Sequence, residues 1–140
     1  MANVGHIHVR IDSQSEAGDE IVVVKVSGPA DAASVRAVII ELEALAQQRG
    51  TLRILVDQTD MQPGLLGFND IAEMVSDWRR APGLRSSRFA FIASNPVIRG
   101  LNQLFRLSAK LEHKNSMNAF SKRADAVTWL VTEPTFASSG

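Results

Sequence analysis

Two kinds of hydrophobic pattern alternate along the chain, and their order predicts the fold. Short apolar or alternating runs, typical of strands, cover residues 6–11, 21–27, 52–57, 88–93 and 116–120. Apolar residues at helical spacing cover residues 31–50, 68–80, 96–111 and 122–131. This order, β-β-α-β-α-β-α-β-α, predicts an α/β domain with a single mixed, largely parallel sheet and helical layers. The first two strands, joined by the polar segment DSQSEAGDE, are expected to form a hairpin.

Capping residues and apolar faces define the predicted helices. Asp31, Asn95 and Ser121 can each cap a helix, and Pro82 with Gly83 ends the second one. The positions expected to face the core are Val35, Val38, Ile39, Leu42 and Ala46 in the first helix, Phe68, Ile71, Ala72, Val75 and Trp78 in the second, and Ala124, Val127, Leu130 and Val131 in the last, with Trp129 also assigned to the core.

Length and composition indicate one domain held by its hydrophobic core. The 140 residues contain no cysteine, which excludes thiol catalysis, disulfides and cysteine-ligated zinc. We expect a single domain over residues 1–132 and a flexible tail over 133–140. No apolar run approaches the ~20 residues of a spanning helix, and the first residues do not resemble a leader. The expected location is therefore the cytoplasm, with membrane contact only at the surface.

Charge is distributed unevenly although the net charge is zero. Residues 1–78 contain 5 Lys/Arg and 12 Asp/Glu, a net −7, whereas residues 79–140 contain 10 and 3, a net +7. This asymmetry could provide a basic face for phospholipid headgroups, nucleic acid or an acidic protein, or could favour self-association. It could equally place opposite charges side by side within one fold.

The segment after the third predicted strand is the main candidate for a binding loop. Ligands of α/β proteins meet the loops at the carboxyl ends of strands. Leu65, Leu66 and Phe68 lie among glycines there, so they form either a mobile lid or a plug at the end of the core. Trp78 could line the same space, anchor at a membrane interface or pack in the core.

The third predicted helix has a cationic stripe and an unusually broad apolar face. Arg99, Arg106 and Lys110 lie within about 40° of one another on a helical wheel. The apolar arc consists of Val97, Ile98, Leu101, Leu104, Phe105, Leu107 and Leu111. This combination is typical of a helix that contacts anionic headgroups, and a solvated face above an ordinary core is the alternative.

No set of residues supports catalysis, and we predict neither an enzyme nor a cofactor. His6 and His8 share one face of a strand, but His113 is alone and no third metal ligand is evident. Asp57 and Asp60 have no histidine, lysine or second acid placed to complete a mechanism. The sequence lacks tyrosine and aromatic interleaving, so nucleic acid ranks below lipid or protein as a partner.

A second apolar strip on the first helix suggests a contact with another subunit. Ala33, Ala37, Ile40 and Ala44 lie away from the predicted core face. Such a strip could form a homodimer, although alanine is also the commonest helix former and single exposed apolar residues are normal.

The segments IVVVKVSGPADAASVRAVIIELEAL, RILVDQTDM, RFAFIAS and AFSKRADAVTWL together resemble the SpoIIAA-like family, relatives of the STAS anti-sigma-factor antagonists. The resemblance covers residues 21–131 and consists of hydrophobic pattern and strand order. It implies a sheet whose helices can enclose an apolar cavity, similar to CRAL-TRIO lipid-transfer domains, and peripheral membrane association.

The STAS branch implies a different function, in which a kinase phosphorylates a serine after the third strand. Here that region, residues 61–67, contains no serine, and Thr59 is the nearest hydroxyl and the candidate phosphosite. The alternative is that Asp57 and Thr59 only satisfy backbone groups at the end of the strand.

These observations predict a non-enzymatic domain that binds an apolar or amphiphilic small molecule, such as a lipid, at an anionic membrane surface. The predicted ligand contacts are Leu65, Leu66, Phe68, Trp78, Leu101 and Phe105, and the predicted membrane contacts are Arg99, Arg106 and Lys110. The alternative is a module that binds a regulatory protein, as STAS domains do.

Overall fold

The computed structural model describes residues 8–16, 19–29, 31–62, 64, 67–109 and 117–132. Its elements, in chain order, are β1 His8–Glu16, β2 Asp19–Pro29, α1 Ala32–Arg49, β3 Arg53–Gln62, α2 Phe68–Arg79, α3 Pro82–Arg85, β4 Arg88–Ile92, α4 Pro96–Ala109, β5 Met117–Phe120 and α5 Arg123–Thr132.

The five strands form one mixed sheet in the order β1-β2-β3-β4-β5. β1 and β2 pair antiparallel, which confirms the predicted hairpin, and β2 to β5 are parallel. Since every parallel crossover steps to the next strand in the same direction, right-handed crossovers place α1, α2 and α4 on one face of the sheet. α5 returns across the other face.

Both faces of the sheet are therefore buried, and this explains the continuous apolar strands. Successive residues of β3 point to opposite sides, so Ile54 packs beneath the three helices whereas Leu55 packs against Ala126 and Leu130 of α5. Trp129 is only partly buried, and its ring lies under the Arg88 guanidinium at 3.7 Å.

β3 is longer than its apolar run predicted. The predicted strand ended at Asp57, but β3 continues to Gln62 because β2 provides a pairing partner as far as Pro29. Lys25 pairs with Asp57 and Ser27 with Asp60, so two residues of β3 oppose one of β2. This β-bulge lies at the polar residues Gln58 and Thr59, where the sequence shows no strand-like alternation.

Two predicted core positions were wrong, and a short helix follows α2 that was not predicted. Ala72 and Ala124 are exposed. Met74 and Ala126, each two positions after the exposed alanine, are buried instead. A step of two residues turns about 200° around the helix, so these side chains lie on the core-facing side. The residues Pro82–Arg85, expected only to end a helix, instead form the one-turn α3.

A cluster of ion pairs joins α2 to α1. Arg36 of α1 donates two hydrogen bonds to Asp77 of α2, at 2.6 and 3.2 Å, and one to Glu73 at 3.0 Å. The hydrogen bonds from Arg36 hold the pKa of Asp77 below its ordinary value, with Arg80 adding to the effect. The hydrogen bond to Asp77 in turn raises the pKa of Arg36.

Neutralising Asp77 should make the protein less stable, and the effect should depend on pH. A carboxylate whose pKa is lower in the folded state than in the unfolded state stabilises the folded state at pH values above its unfolded pKa, near 4. This stabilisation disappears as the pH falls through the pKa of the folded state. We therefore expect Asp77→Asn to lower the urea midpoint of unfolding at pH 7, with the difference from wild type shrinking below about pH 4.

Glu41→Gln, at an exposed position on α1, is the matched control and should change the midpoint little at either pH. A loss of stability in Asp77→Asn that is equally large at pH 7 and pH 2 would contradict this role of the carboxylate.

Candidate functional site

An apolar cavity of about 130 Å³ lies between the sheet and the helices α1, α2 and α4. Its floor includes the short side chains of Val24, Val26 and Val56, while Phe89 and Phe91 lie at its β4 side. α2 packs on α1, α3 and α4 and forms the roof. The cavity is partly open to the surface, so a small molecule has a route to it.

Three of the six predicted ligand contacts line this cavity together. Trp78 comes from α2, and Leu101 and Phe105 come from α4. Leu65 and Leu66 lie outside the described residues, and Phe68 is the first residue of α2 with its side chain also outside the description. Whether these three form a lid or a plug stays a prediction.

A pair of buried amides forms a polar feature of the cavity wall. Gln58 of β3 and Asn102 of α4 are each 8% exposed, and both line the cavity. Gln58 Nε2 donates to Asn102 Oδ1 at 3.1 Å, and Asn102 Nδ2 donates to Gln58 Oε1 at 2.6 Å. The reciprocal pair joins the sheet to α4 and compensates for burying both amides.

The sequence pattern did not predict this pair, although Asn102 leaves a signal in it. Asn102 lies on the core side of α4 between Ile98 and Phe105, and a polar residue at an inward helix position needs a partner. Gln58 lies at the bulge of β3, beyond the predicted strand, so its inward position could not be read from the sequence.

Trp78 also lines the cavity and contains a buried polar group. Its side chain is 1% exposed, and its indole Nε1 has no hydrogen-bond partner in the described part of the chain. Lining this space was one of the three positions considered for Trp78 from the sequence, and the unpartnered donor was not predicted. No charged side chain lines the cavity among the described residues, so the wall combines apolar surface with a few neutral polar groups.

The outer surface of α4 combines cations with exposed apolar side chains. Arg99 is exposed, and Arg106 is half-buried and donates to Gln103 at 2.9 Å and to Asn118 at 3.5 Å. Val97 and Leu107 are 54% and 48% exposed. Lys110 lies outside the described residues.

Thr59 is exposed at the bulge of β3, and Asp57 accepts hydrogen bonds from its backbone and its side chain. Asp57 Oδ1 accepts hydrogen bonds from the Thr59 backbone N–H at 3.0 Å and from its hydroxyl at 2.6 Å. The bond to the Thr59 backbone N–H is of the kind predicted under the alternative, in which Asp57 and Thr59 satisfy backbone groups at the end of the strand. Asp60 lies 3.8 Å from Lys25 Nζ.

Neither a metal cluster nor a membrane span occurs within the described ranges. No three His, Cys, Asp or Glu side chains come together there, and His6, the His8 side chain and His113 lie outside them. None of the described helices is long and apolar enough to cross a bilayer.

The predicted strip on α1 is exposed along its length. Ala33, Ala37 and Ala44 are exposed, and Ile40 is 72% exposed. With Arg36 and Asp77, part of this strip borders an open groove between α1 and α2. A homodimer contact there stays a prediction.

Comparison with known proteins agrees with this architecture. A crystal structure of an uncharacterized protein of the DUF3478 family from Shewanella loihica PV-4, described as having a SpoIIAA-like fold, is similar with a TM-score of 0.58. The two sequences are 18% identical, and the match covers 89% of this chain and 94% of the other. No curated protein matches the sequence.

Family membership follows from the sequence itself. The sequence model of the SpoIIAA-like family matches residues 21–131, from the buried start of β2 to the end of α5. This range contains the four parallel strands and all the helices that enclose the cavity. The protein therefore belongs to the SpoIIAA-like family.

Proposed function

We propose that this protein binds a small apolar or amphiphilic molecule in the cavity beneath α2 and does not act on it chemically. The cavity itself is the observation that carries the proposal. A cavity of about 130 Å³ among core side chains is unfavourable, because the residues that line it lose packing contacts on that side, and ligand binding would offset this loss.

The volume limits the size of the ligand. An engineered apolar cavity of about 150 Å³ accepts benzene, so a molecule of similar size fits here. A complete lipid does not fit unless α2 moves away from α1 and α4. The end of a longer chain could still enter, with each buried CH₂ contributing about 0.8 kcal/mol.

The buried amides support an amphiphilic ligand over a pure hydrocarbon. In the reciprocal pair, each amide uses one N–H and one oxygen lone pair. Gln58 and Asn102 therefore each retain another N–H and lone pair that a ligand could use.

Filling the cavity should abolish ligand binding. Val38 of α1 lines the cavity, so Val38→Phe should occupy part of its volume and remove the rise in melting temperature that toluene causes in the wild type. With toluene at 100 times its Kd, the stabilisation of the wild type should be about 2.7 kcal/mol, a shift of several degrees.

Ile40→Phe is the matched control, because it adds an aromatic ring on the outer face of the same helix. It should keep the response to toluene. If apolar probes from benzene to octane leave the melting temperature of the wild type unchanged, the proposed binding function is wrong.

The outer face of α4 supports delivery or capture of this ligand at an anionic membrane surface. Val97 and Leu107 can enter the headgroup region, while Arg99 and Arg106 attract anionic lipids. Lys110, predicted as part of the same stripe, would add to this attraction.

Reversing the charge of Arg99 should weaken membrane binding. Each cation near such a surface contributes about 1 kcal/mol, so Arg99→Glu should reduce partitioning onto phosphatidylserine vesicles about tenfold to thirtyfold at low salt. Arg10→Glu, on the opposite edge strand, should bind like the wild type. Equal binding of all three proteins in vesicle co-sedimentation would refute the membrane contact.

Family membership favours a second function, in which the protein binds a regulatory protein as STAS domains do. The exposed Thr59, three residues before the end of β3, is the observation that supports it. Phosphorylation would break the 2.6 Å hydrogen bond to Asp57 and would add a charge of about −2 between two carboxylates.

A phosphomimetic change should therefore release such a partner. We expect Thr59→Glu to lose a protein that co-purifies with the wild type and with Thr59→Val, as measured by quantitative mass spectrometry of pulled-down complexes. If Thr59→Glu retains every protein that the wild type captures, Thr59 is not a switch.

A further inference from the structure

Trp78 contains a buried hydrogen-bond donor, the indole N–H. The indole is 1% exposed, and its Nε1 has no partner in the described part of the chain. An unsatisfied buried donor is destabilising, and phenylalanine would provide similar apolar packing without this donor. Trp78 is therefore poorly explained by core packing alone.

Water is a poor partner for this donor. A buried water molecule needs two to four polar partners. The cavity wall that includes Trp78 is apolar except for the Gln58–Asn102 pair, so a water at the Trp78 N–H would depend for its other hydrogen bonds on the one N–H and one lone pair that each amide retains.

We propose that the ligand carries an oxygen acceptor that receives the Trp78 N–H, while its apolar body fills the cavity. This inference rests on the proposed binding function and specifies the ligand class.

The acceptor is uncharged, as in a ketone, ester or ether. No charged side chain lines the cavity among the described residues, so a carboxylate would be buried without a counter-ion. An ionised fatty acid headgroup is therefore excluded from the cavity.

A matched pair of probes tests the acceptor. Cyclohexanone and methylenecyclohexane have nearly the same shape and differ by replacement of the oxygen with CH₂. We expect Trp78→Phe to weaken cyclohexanone binding about fivefold to tenfold more than it weakens methylenecyclohexane binding, the loss of one hydrogen bond. Taking the ratio between the two probes cancels their different hydration and any change in cavity size.

A second measurement needs no substitution at Trp78. The chain has two tryptophans, so a ¹H–¹⁵N spectrum contains two indole N–H signals, and Trp129 on the other face of the sheet is an internal control. Cyclohexanone should shift the Trp78 signal downfield and leave the Trp129 signal in place. Methylenecyclohexane should not produce this downfield shift.

Each outcome separates this inference from the function on which it rests. Suppose that both probes bind, that the Trp78 N–H signal does not respond to the ketone, and that Trp78→Phe weakens the binding of both probes equally. The proposed acceptor is then wrong, while the proposed binding in the cavity stands. If cyclopentanecarboxylate binds as tightly as cyclohexanone, the acceptor is not restricted to neutral groups. If neither neutral probe binds, the proposed function fails and this inference fails with it.

Discussion

The direction of the strand order is the constraint on which the rest of the structure depends. It places α1, α2 and α4 on one face of the sheet. α2 packs against α1, α3 and α4. The cavity lies between these helices and a floor that includes Val24, Val26 and Val56.

The roof helix α2 is attached to α1 by polar contacts as well as by apolar packing. Arg36 of α1 bonds to Asp77 and Glu73 of α2. These ion pairs are partly exposed, which makes them modest in energy and sensitive to salt and pH. The cavity is thus covered by an element whose attachment to α1 is partly electrostatic.

The cavity is lined by apolar side chains together with three that contain neutral polar groups. Gln58 and Asn102 bond to each other, whereas the Trp78 N–H has no partner among the described residues. A packing defect in a core needs no polar groups, and burying them is unfavourable unless they gain partners. Under the proposed function, these groups would suit a ligand that is mostly apolar and carries a polar atom, in keeping with the general composition of small-molecule sites.

The hydrophobic pattern by itself determined the element order, the hairpin, the mixed sheet and the helix faces at positions such as Leu42, Val75 and Leu130, because periodicity is a local property of the chain. It also placed Trp78, Leu101 and Phe105 in one space. The extension of β3, the one-turn α3 and the Gln58–Asn102 pair were decided only in three dimensions. β3 continues because β2 lies beside it, and the two amides meet across 44 residues of sequence. Such contacts depend on the packing of whole elements, which no local pattern contains.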